Sequence, residues 1–550
     1  MDGKHHAMNG PHAPPFLLHH LMVDAAERSP QAVALVQGEH TRTYAQLHTE
    51  VHQFAAGLLA LGLQRSERVA IFLEKRMETV VASFGATAAG GVMVPVNPLL
   101  KPEQVGYVLR DCNVRVLVTS PERMALLNEV LGRCPDLQHV VLVPSSNPVA
   151  KGGPRAHCTV VPWQHLQSTP ARPGHRVIDS DMAAILYTSG STGSPKGVVL
   201  SHRNLVVGAH SVNAYLHNTS ADTLLAVLPL SFDAGFSQLT TGFAVGARVV
   251  LLNYLLPRDV LKALHTHRVT GLTAVPPLYM QLVQQTWPEG CADTLRYFAN
   301  TGGRMPRETL RQLRERAPRA QPFLMYGLTE AFRSTYLPPD QVDQRPDSIG
   351  QAIPNAEVLV LRLDGSECAA DEPGELVHRG PLVGMGYWNN PQQTAERFKP
   401  LADITPGRPA GLQLPEFAVF SGDTVRRDAE GYLYFVGRKD EMIKTSGYRV
   451  SPTEIEEALY ATGQVTECVA FGVEHPTLGQ VIQVLAYGGA DRAPVDVQSA
   501  LLDACKAQLP AYMVPAGIQV VEHPLPRNPN GKLDRKALQA AWIADNAGHP

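Results

Sequence analysis

The segment Tyr187-Thr188-Ser189-Gly190-Ser191-Thr192-Gly193-Ser194-Pro195-Lys196-Gly197 is set between two apolar runs, Ala183-Ala184-Ile185-Leu186 and Val198-Val199-Leu200. Its simplest folding is strand, hydroxyl-rich loop, strand. Glycines let backbone amides turn toward a bound group with no side chain in the way, the hydroxyls add donors, and Lys196 adds a positive charge. A loop so built suits a polyphosphate. Lys196 is followed by glycine and is not directly preceded by one, so the segment is not a Walker loop. A solvated surface turn of the same composition is the plain alternative, and the two buried strands weigh against it.

The rest of the chain is consistent with an enzyme-sized globule. At 550 residues, a rough prior of about 150 residues per domain allows about three or four units, or one large enzyme split into lobes. Apolar residues make up 44% and charged residues 18%, which excludes a disordered chain. Forty-eight Lys and Arg against 51 acids leave a net charge of -3, so no global attraction to nucleic acid or an anionic membrane is expected. Cys112, Cys134, Cys158, Cys291, Cys368, Cys468 and Cys505 show neither zinc nor CxxC spacing, which suits a reducing, cytoplasmic setting. The longest apolar stretch, Val80 to Val96, contains Gly85, Gly90, Gly91 and Pro95, and reads as helix, turn and buried strand, not as a membrane span.

Residues 1–16 read as a flexible lead. From Leu17 onward, helix-like segments alternate with short apolar strands at Val33–Val36, Arg68–Leu73 and Arg115–Val118, the rhythm of an α/β domain with buried sheets. Pro144 to Pro173 reads as a surface excursion. The texture changes after Phe420, and a boundary at Asp440 divides a lobe of residues 17–439 from one of residues 440–550. Ser451-Pro452-Thr453-Glu454 reads as a capping box opening a helix whose apolar face carries Ile455, Ala458 and Leu459.

Four further motifs follow the glycine-rich loop: Met325-Tyr326-Gly327-Leu328-Thr329-Glu330, Ser421-Gly422-Asp423, Gly437-Arg438-Lys439-Asp440, and Pro526-Arg527-Asn528-Pro529-Asn530-Gly531-Lys532-Leu533-Asp534. In this order the five motifs resemble the adenylate-forming superfamily, which holds acyl-CoA synthetases, nonribosomal peptide adenylation domains and luciferases. The resemblance runs from about Leu17 to Leu538. It implies a large N-terminal lobe of layered α/β sheets with a small β-barrel portion, and a small mobile α+β C-terminal lobe.

The resemblance also implies roles. Thr188, Ser189, Gly190, Ser191, Thr192, Gly193 and Lys196 would hold the ATP phosphates, with Gly302, Gly303 and Gly327 near the nucleotide. Tyr326 would stack on adenine, Thr329 would contact phosphate and Glu330 would be the Mg²⁺ carboxylate. Asp423 would accept the ribose hydroxyls, with Arg438 beside it and Asp440 as the hinge. Lys532 would bridge the acid and the α-phosphate, so the implied catalytic set is Lys532, Thr188, Lys196 and Glu330. After rotation, Gly447, Tyr448 and Arg449 would face the pantetheine thiol of CoA or of a separate carrier protein. No attachment-serine domain follows Lys532, so a free-standing ligase is expected.

Phe232, Asp233 and Gly235 lie where this family begins to line its acyl pocket, with Asn300, Thr301, Met325, Arg333 and Ser334 as further candidates. Asp233 stands where amino-acid-activating members place the partner of the substrate ammonium, which favours a small or amino-bearing acid. Asp233 could equally cap the following segment or meet an internal arginine such as Arg333. The alternatives are a fatty or aryl acyl-CoA synthetase with no amine requirement, and, in another class, an inactive nucleotide-binding homologue.

Overall fold

The computed structural model describes residues 16–145, 158–170, 172–188, 195–401, 415–438, 441–445, 448–475, 478–488, 494–528 and 532–546. The chain divides into two compact units, residues 1–253 with 384–391 and residues 254–383 with 392–550.

The first unit holds a seven-stranded sheet in the order Thr159–Pro162, His139–Leu142, Val114–Thr119, Arg68–Phe72, Val92–Pro95, Met182–Thr188 and Lys196–Ser201. All neighbours are parallel except the last pair. Strands covered on both faces need continuous apolar sequence. Val69, Ala70, Ile71 and Phe72 are accordingly all buried. The Val80–Val96 stretch is the end of the helix Met77–Ala88, a turn at Gly90 with φ +84°, and the buried strand Val92–Pro95, as the sequence suggests. The described part of Pro144–Pro173 returns to the fold as an edge strand and a short helix, Trp163–Gln167. Trp163 stacks on Phe54 at 4.7 Å and anchors it.

A second sheet of this unit pairs Thr223–Ala226, Arg248–Leu251 and Val33–Gln37 in parallel, with His40–Thr43 antiparallel at the edge. The helix Tyr44–Ala60 starts on a capping box between Thr43 and Gln46, and the fully buried Tyr44 donates its hydroxyl proton to the Ala247 carbonyl at 2.6 Å. The helix Asp233–Val245 packs on the same sheet.

In the second unit, parallel strands Gly271–Ala274, Tyr297–Asn300 and Gln321–Tyr326 continue into an antiparallel series: Thr335–Leu337, Ser348–Ala352, Leu433–Arg438, Phe417–Arg427, Gly374–Arg379 and Glu357–Leu361. In the part where the resemblance implies a small barrel, these antiparallel strands enclose an apolar cluster around Leu376 and Val425 and another around Val377 and Ala418. A five-stranded sheet follows, built on the long hairpin Glu467–His475 and Gly479–Tyr487, with Gly517–Val521 parallel to the latter. One cluster, including Ile455, Leu459 and Leu501, packs helices Pro452–Ala461 and Pro494–Gln508 on it, and another, including Phe471 and Leu538, packs Arg535–Asn546.

The capping box expected at Ser451 does not form. Pro452 takes the first turn as anticipated, but the Ser451 hydroxyl is buried without a partner. The reason is backbone direction: ψ is 123° at Ser451, against 165° and 166° at Thr43 and Ser201, whose side chains do cap their helices. Ser451 turns toward Gly437 instead, where an added Cβ would lie 3.3 Å from its oxygen.

Candidate functional site

In the first unit the glycine-rich loop is bracketed by antiparallel strands whose last pair is Thr188 with Lys196. Ser189, Gly190, Ser191, Thr192 and Gly193 lie outside the described residues. Both ends of the loop are tied to the helix Pro102–Asp111. Tyr187 donates to the Asp111 carboxylate at 2.5 Å, and Tyr107 donates to the Pro195 carbonyl at 3.2 Å. Trp388 and Asn389 hold the Asp111 carbonyl, and the Lys196 ammonium sits 5.4 Å from the Tyr387 ring centre. A loop meant to present its amides to a ligand gains from fixed ends, because ordering entropy is then lost at folding, not at binding.

Phe232 precedes the helix Asp233–Val245, and Asp233 is its first residue, where a carboxylate complements the helix N-terminus. At Gly235 an added Cβ would fall 1.8 Å from the Pro229 carbonyl, so only glycine lets this helix start against the preceding turn.

In the second unit Tyr326 ends a strand, and its hydroxyl donates to Asp423 Oδ2 at 2.5 Å. Arg438 Nε donates to Oδ1 of the same carboxylate at 2.9 Å. Burial, then the Asp423 charge, push the Tyr326 phenol well above its ordinary range, so it stays a donor. Among the described residues each Asp423 oxygen is seen to accept from one protein donor, and a carboxylate oxygen can accept a second hydrogen bond, which is the capacity two vicinal sugar hydroxyls require. The carboxylate is buried to 7% exposure, and the Ser421 hydroxyl orients it by accepting its backbone N–H at 3.1 Å.

Thr329 and Glu330 form a 3₁₀ turn that ends in a strained residue. Phe332 has φ 59° and ψ −62°, and the Arg333 amide donates to the Ala331 carbonyl at 2.7 Å, a tight γ-turn. Gly327 fits beneath it, since a Cβ there would meet Arg333 Cα at 3.0 Å. Arg333 and Ser334 are both fully enclosed, and Ser334 shares a 2.9 Å hydrogen bond with His378 Nδ1. Burial brings the His378 imidazole down to about 4, which keeps it neutral. Among the described residues no three His, Cys, Asp or Glu side chains form a metal cage. A lone Glu330 carboxylate fits Mg²⁺, which binds through few protein oxygens plus phosphate and water.

The loop after strand Tyr297–Asn300 is fastened to the Tyr326 strand. Asn300 is buried, accepts from the Met325 amide at 3.2 Å and donates to the Gly303 carbonyl at 2.8 Å. Thr301 and Met325 are buried beside it, and Gly303 lies over Pro276. Gly302 has φ +77°, and a Cβ there would lie 3.2 Å from Lys532 Cε and 3.6 Å from its Nζ. Lys532 is therefore seated on this loop. Its backbone is closed against Asn528 by a pair of hydrogen bonds, at 2.8 and 3.0 Å. The approach to it is held by Glu467, which accepts from Leu525 N at 2.7 Å and Arg527 Nη2 at 2.5 Å. Asp440 and Gly447 lie outside the described residues. Tyr448 and Arg449 belong to a short strand, Tyr448–Val450. Sequence reasoning did not find Asp111, His378 or Glu467, since each is a single polar residue whose partners lie 44 or more positions away.

The AMP-binding enzyme family matches residues 22–388, and the AMP-binding enzyme C-terminal domain matches residues 454–532. The chain belongs to the AMP-binding enzyme family. The L-proline–[L-prolyl-carrier protein] ligase of Pseudomonas fluorescens is 30% identical over 534 residues, covering 95% of this chain and 98% of that protein. Bacitracin synthase 3 of Bacillus licheniformis is 29% identical over 525 residues. These make up 95% of this chain but only 8% of the synthase, so the chain spans a small part of such relatives. Among solved structures, an anthranilate CoA ligase superposes with TM-score 0.85 at 23% identity, covering 97% of this chain and 99% of that one, a likeness of fold. The o-succinylbenzoate CoA synthetase of Bacillus subtilis gives TM-score 0.78 at 26% identity, covering 94% and 97%.

Proposed function

We propose that this AMP-binding enzyme activates a small or amino-bearing carboxylic acid with ATP and passes the acyl group to a pantetheine thiol, on CoA or a separate carrier protein. The observation that carries the reading is the seating of Lys532 on Gly302, in a loop that Asn300 fastens to the strand of Tyr326, itself bonded to Asp423. One scaffold thus joins a catalytic ammonium to a sugar-binding carboxylate.

The acid's carboxylate oxygen attacks the α-phosphorus, the bond to the β-phosphate bridging oxygen breaks, and pyrophosphate leaves. Two anions must approach, so charge neutralisation is the main task. Lys532 holds the attacking carboxylate and the α-phosphate, while Thr188, Lys196 and the loop amides hold the leaving pyrophosphate. Mg²⁺ on Glu330, when bound, neutralises phosphate charge. Tyr326 and Asp423, with Arg438, fix the nucleoside. In the second step the thiol sulfur attacks the acyl carbon and AMP departs with the carboxylate oxygen. We place the hinge at Asp440 between lobes 17–439 and 440–550, with Gly447, Tyr448 and Arg449 on the thiol side.

What supports an amino-bearing acid is the likeness to a proline ligase over 98% of that protein, together with an aspartate, Asp233, at the position where the resemblance puts the ammonium partner; its seat at the head of the helix suits a capping role equally. The seven cysteines are unpaired, which suits the reducing cytoplasm, and no helix among the described residues is long and apolar enough to cross a membrane. The test is ATP–pyrophosphate exchange with amino acids, each beside its deamino analogue. Exchange with amino acids alone, lost in Asp233→Asn, supports the assignment. Exchange with the deamino acids, unchanged in Asp233→Asn, makes Asp233 an internal partner and the protein an acyl-CoA synthetase.

A further inference from the structure

The Asn300–Arg304 loop is touched by two separate parts of the sequence beyond residue 440. Lys532 lies on Gly302, and two residues along the loop Arg304 meets the helix Pro452–Ala461. Arg304 Nε pairs with the Glu457 carboxylate, and its Nη2 donates to Asp347 Oδ1 at 2.5 Å. Arg307 donates its Nε to the same Oδ1 at 2.9 Å, which steadies Asp347. The Arg304–Glu457 side chains are 28% and 26% exposed. A pair so sheltered is screened less than a surface pair and escapes the full cost of burial.

Neighbouring carboxylates of that helix divide the work. Glu456 turns inward, where it accepts from Arg535 Nη2 at 2.7 Å and from the Ala470 amide at 2.9 Å, fastening the helix to its own sheet. Glu457 alone of the two reaches Arg304. The helix and the lysine loop share one sheet, because the loop is anchored by Glu467 at the start of strand Glu467–His475. Holding the helix at Arg304 therefore fixes where Lys532 falls on Gly302.

We infer that the Arg304–Glu457 pair is a positioning contact that seats Lys532 for adenylation and is not needed for thiol transfer. The inference rests on the proposed two-step function. The groups facing Glu457 are Arg304, Arg307 and Asp347 from one side and Glu456 from its own helix, and burial outweighs Arg304 to push its carboxyl up to about 7. The pair then gains its full charge only as pH rises through that range.

The experiment measures the two half-reactions separately on the full chain, using the acid that gives exchange. ATP–pyrophosphate exchange reports adenylation, and conversion of the synthetic acyl-adenylate with CoA or a phosphopantetheinylated carrier reports transfer. Glu457→Gln should lower exchange about tenfold while transfer stays within about twofold of wild type, and should remove the rise of exchange through pH 7. Arg304→Met should behave alike, and Arg304→Lys should recover part of the exchange. Exchange at the wild-type rate in Glu457→Gln, or an equal fall in both half-reactions, overturns the inference while leaving the function intact. Absence of acid-dependent exchange in the wild type defeats the function and the inference with it.

Discussion

Gly302 is the residue at which sequence and site meet most sharply. Its paired glycines are visible in the sequence, but the reason for them is not: a positive φ and a lysine lying 230 positions away, against the face where a Cβ would stand. Gly302→Ala adds roughly 1 kcal/mol of backbone strain and also displaces Lys532. Its pyrophosphate exchange should fall more than tenfold while the melting temperature drops only a few degrees. Lys532→Ala should cost on the order of 10²–10³-fold in exchange, the scale of removing one preorganised charge-stabilising group, with nucleotide binding by titration little changed. Tyr326 and Asp423 were legible as motif residues. Their mutual hydrogen bond, and the burial of Ser334 against His378, were not, because motif spacing carries no information on which side chains face one another.

At the scale of elements, local rules succeeded where the chain is self-contained. The helix–turn–strand over Val80–Val96 and the two strands that flank the glycine-rich segment, Met182–Thr188 and Lys196–Ser201, follow from hydrophobic period and glycine placement alone. The rule failed at Ser451, where a capping sequence is present but the strand entering the helix fixes ψ at 123° and turns the hydroxyl away. Ser451→Ala should therefore leave stability within about 0.5 kcal/mol, against the loss of about 1 kcal/mol normal for a working cap. The C-terminal sheet depends far more on Arg535, whose guanidinium pairs with Glu456 and Glu441 and donates to the Ala470 carbonyl at 2.9 Å. Arg535→Met strands two sheltered carboxylates and should cost about 3–5 kcal/mol, read as a lowered urea midpoint.

Over the whole molecule, buried imidazoles set the response to acid. His202 accepts the Leu18 amide on Nδ1 at 3.0 Å, and burial brings it down to about 4; His378, enclosed with Ser334, is also brought to about 4. Both pKa values are depressed below the ordinary 6.5, so the unfolded chain binds protons that the native chain refuses. Their contribution is complete above pH 6.5 and is lost as pH falls toward 4, by up to roughly 3 kcal/mol each. Glu457 works in the opposite sense, since its value is raised from 4.5 to about 7: a share of similar size to one imidazole's is lost as pH rises from 4.5 through about 7, and it offsets one of the two over that range. Urea unfolding should show stability falling steadily between pH 6.5 and 4, with a shallower fall in His378→Gln.

The general architecture was readable from the alternation of apolar strands and helices, and the order of motifs along the chain was readable too. What the sequence could not show is how Glu467, Arg304 and Asp111 hold those motifs in place, because such contacts join segments far apart in the chain.

The central claim is chemical: a carboxylate oxygen becomes bonded to the α-phosphorus of ATP. Incubating the protein with ATP, the thiol acceptor and an acid labelled with ¹⁸O in its carboxylate, then weighing the products by mass spectrometry, tests it directly. Adenylation followed by thiolysis predicts one ¹⁸O in the phosphate of AMP and none in pyrophosphate. Unlabelled AMP, or label in inorganic phosphate beside ADP, would contradict it.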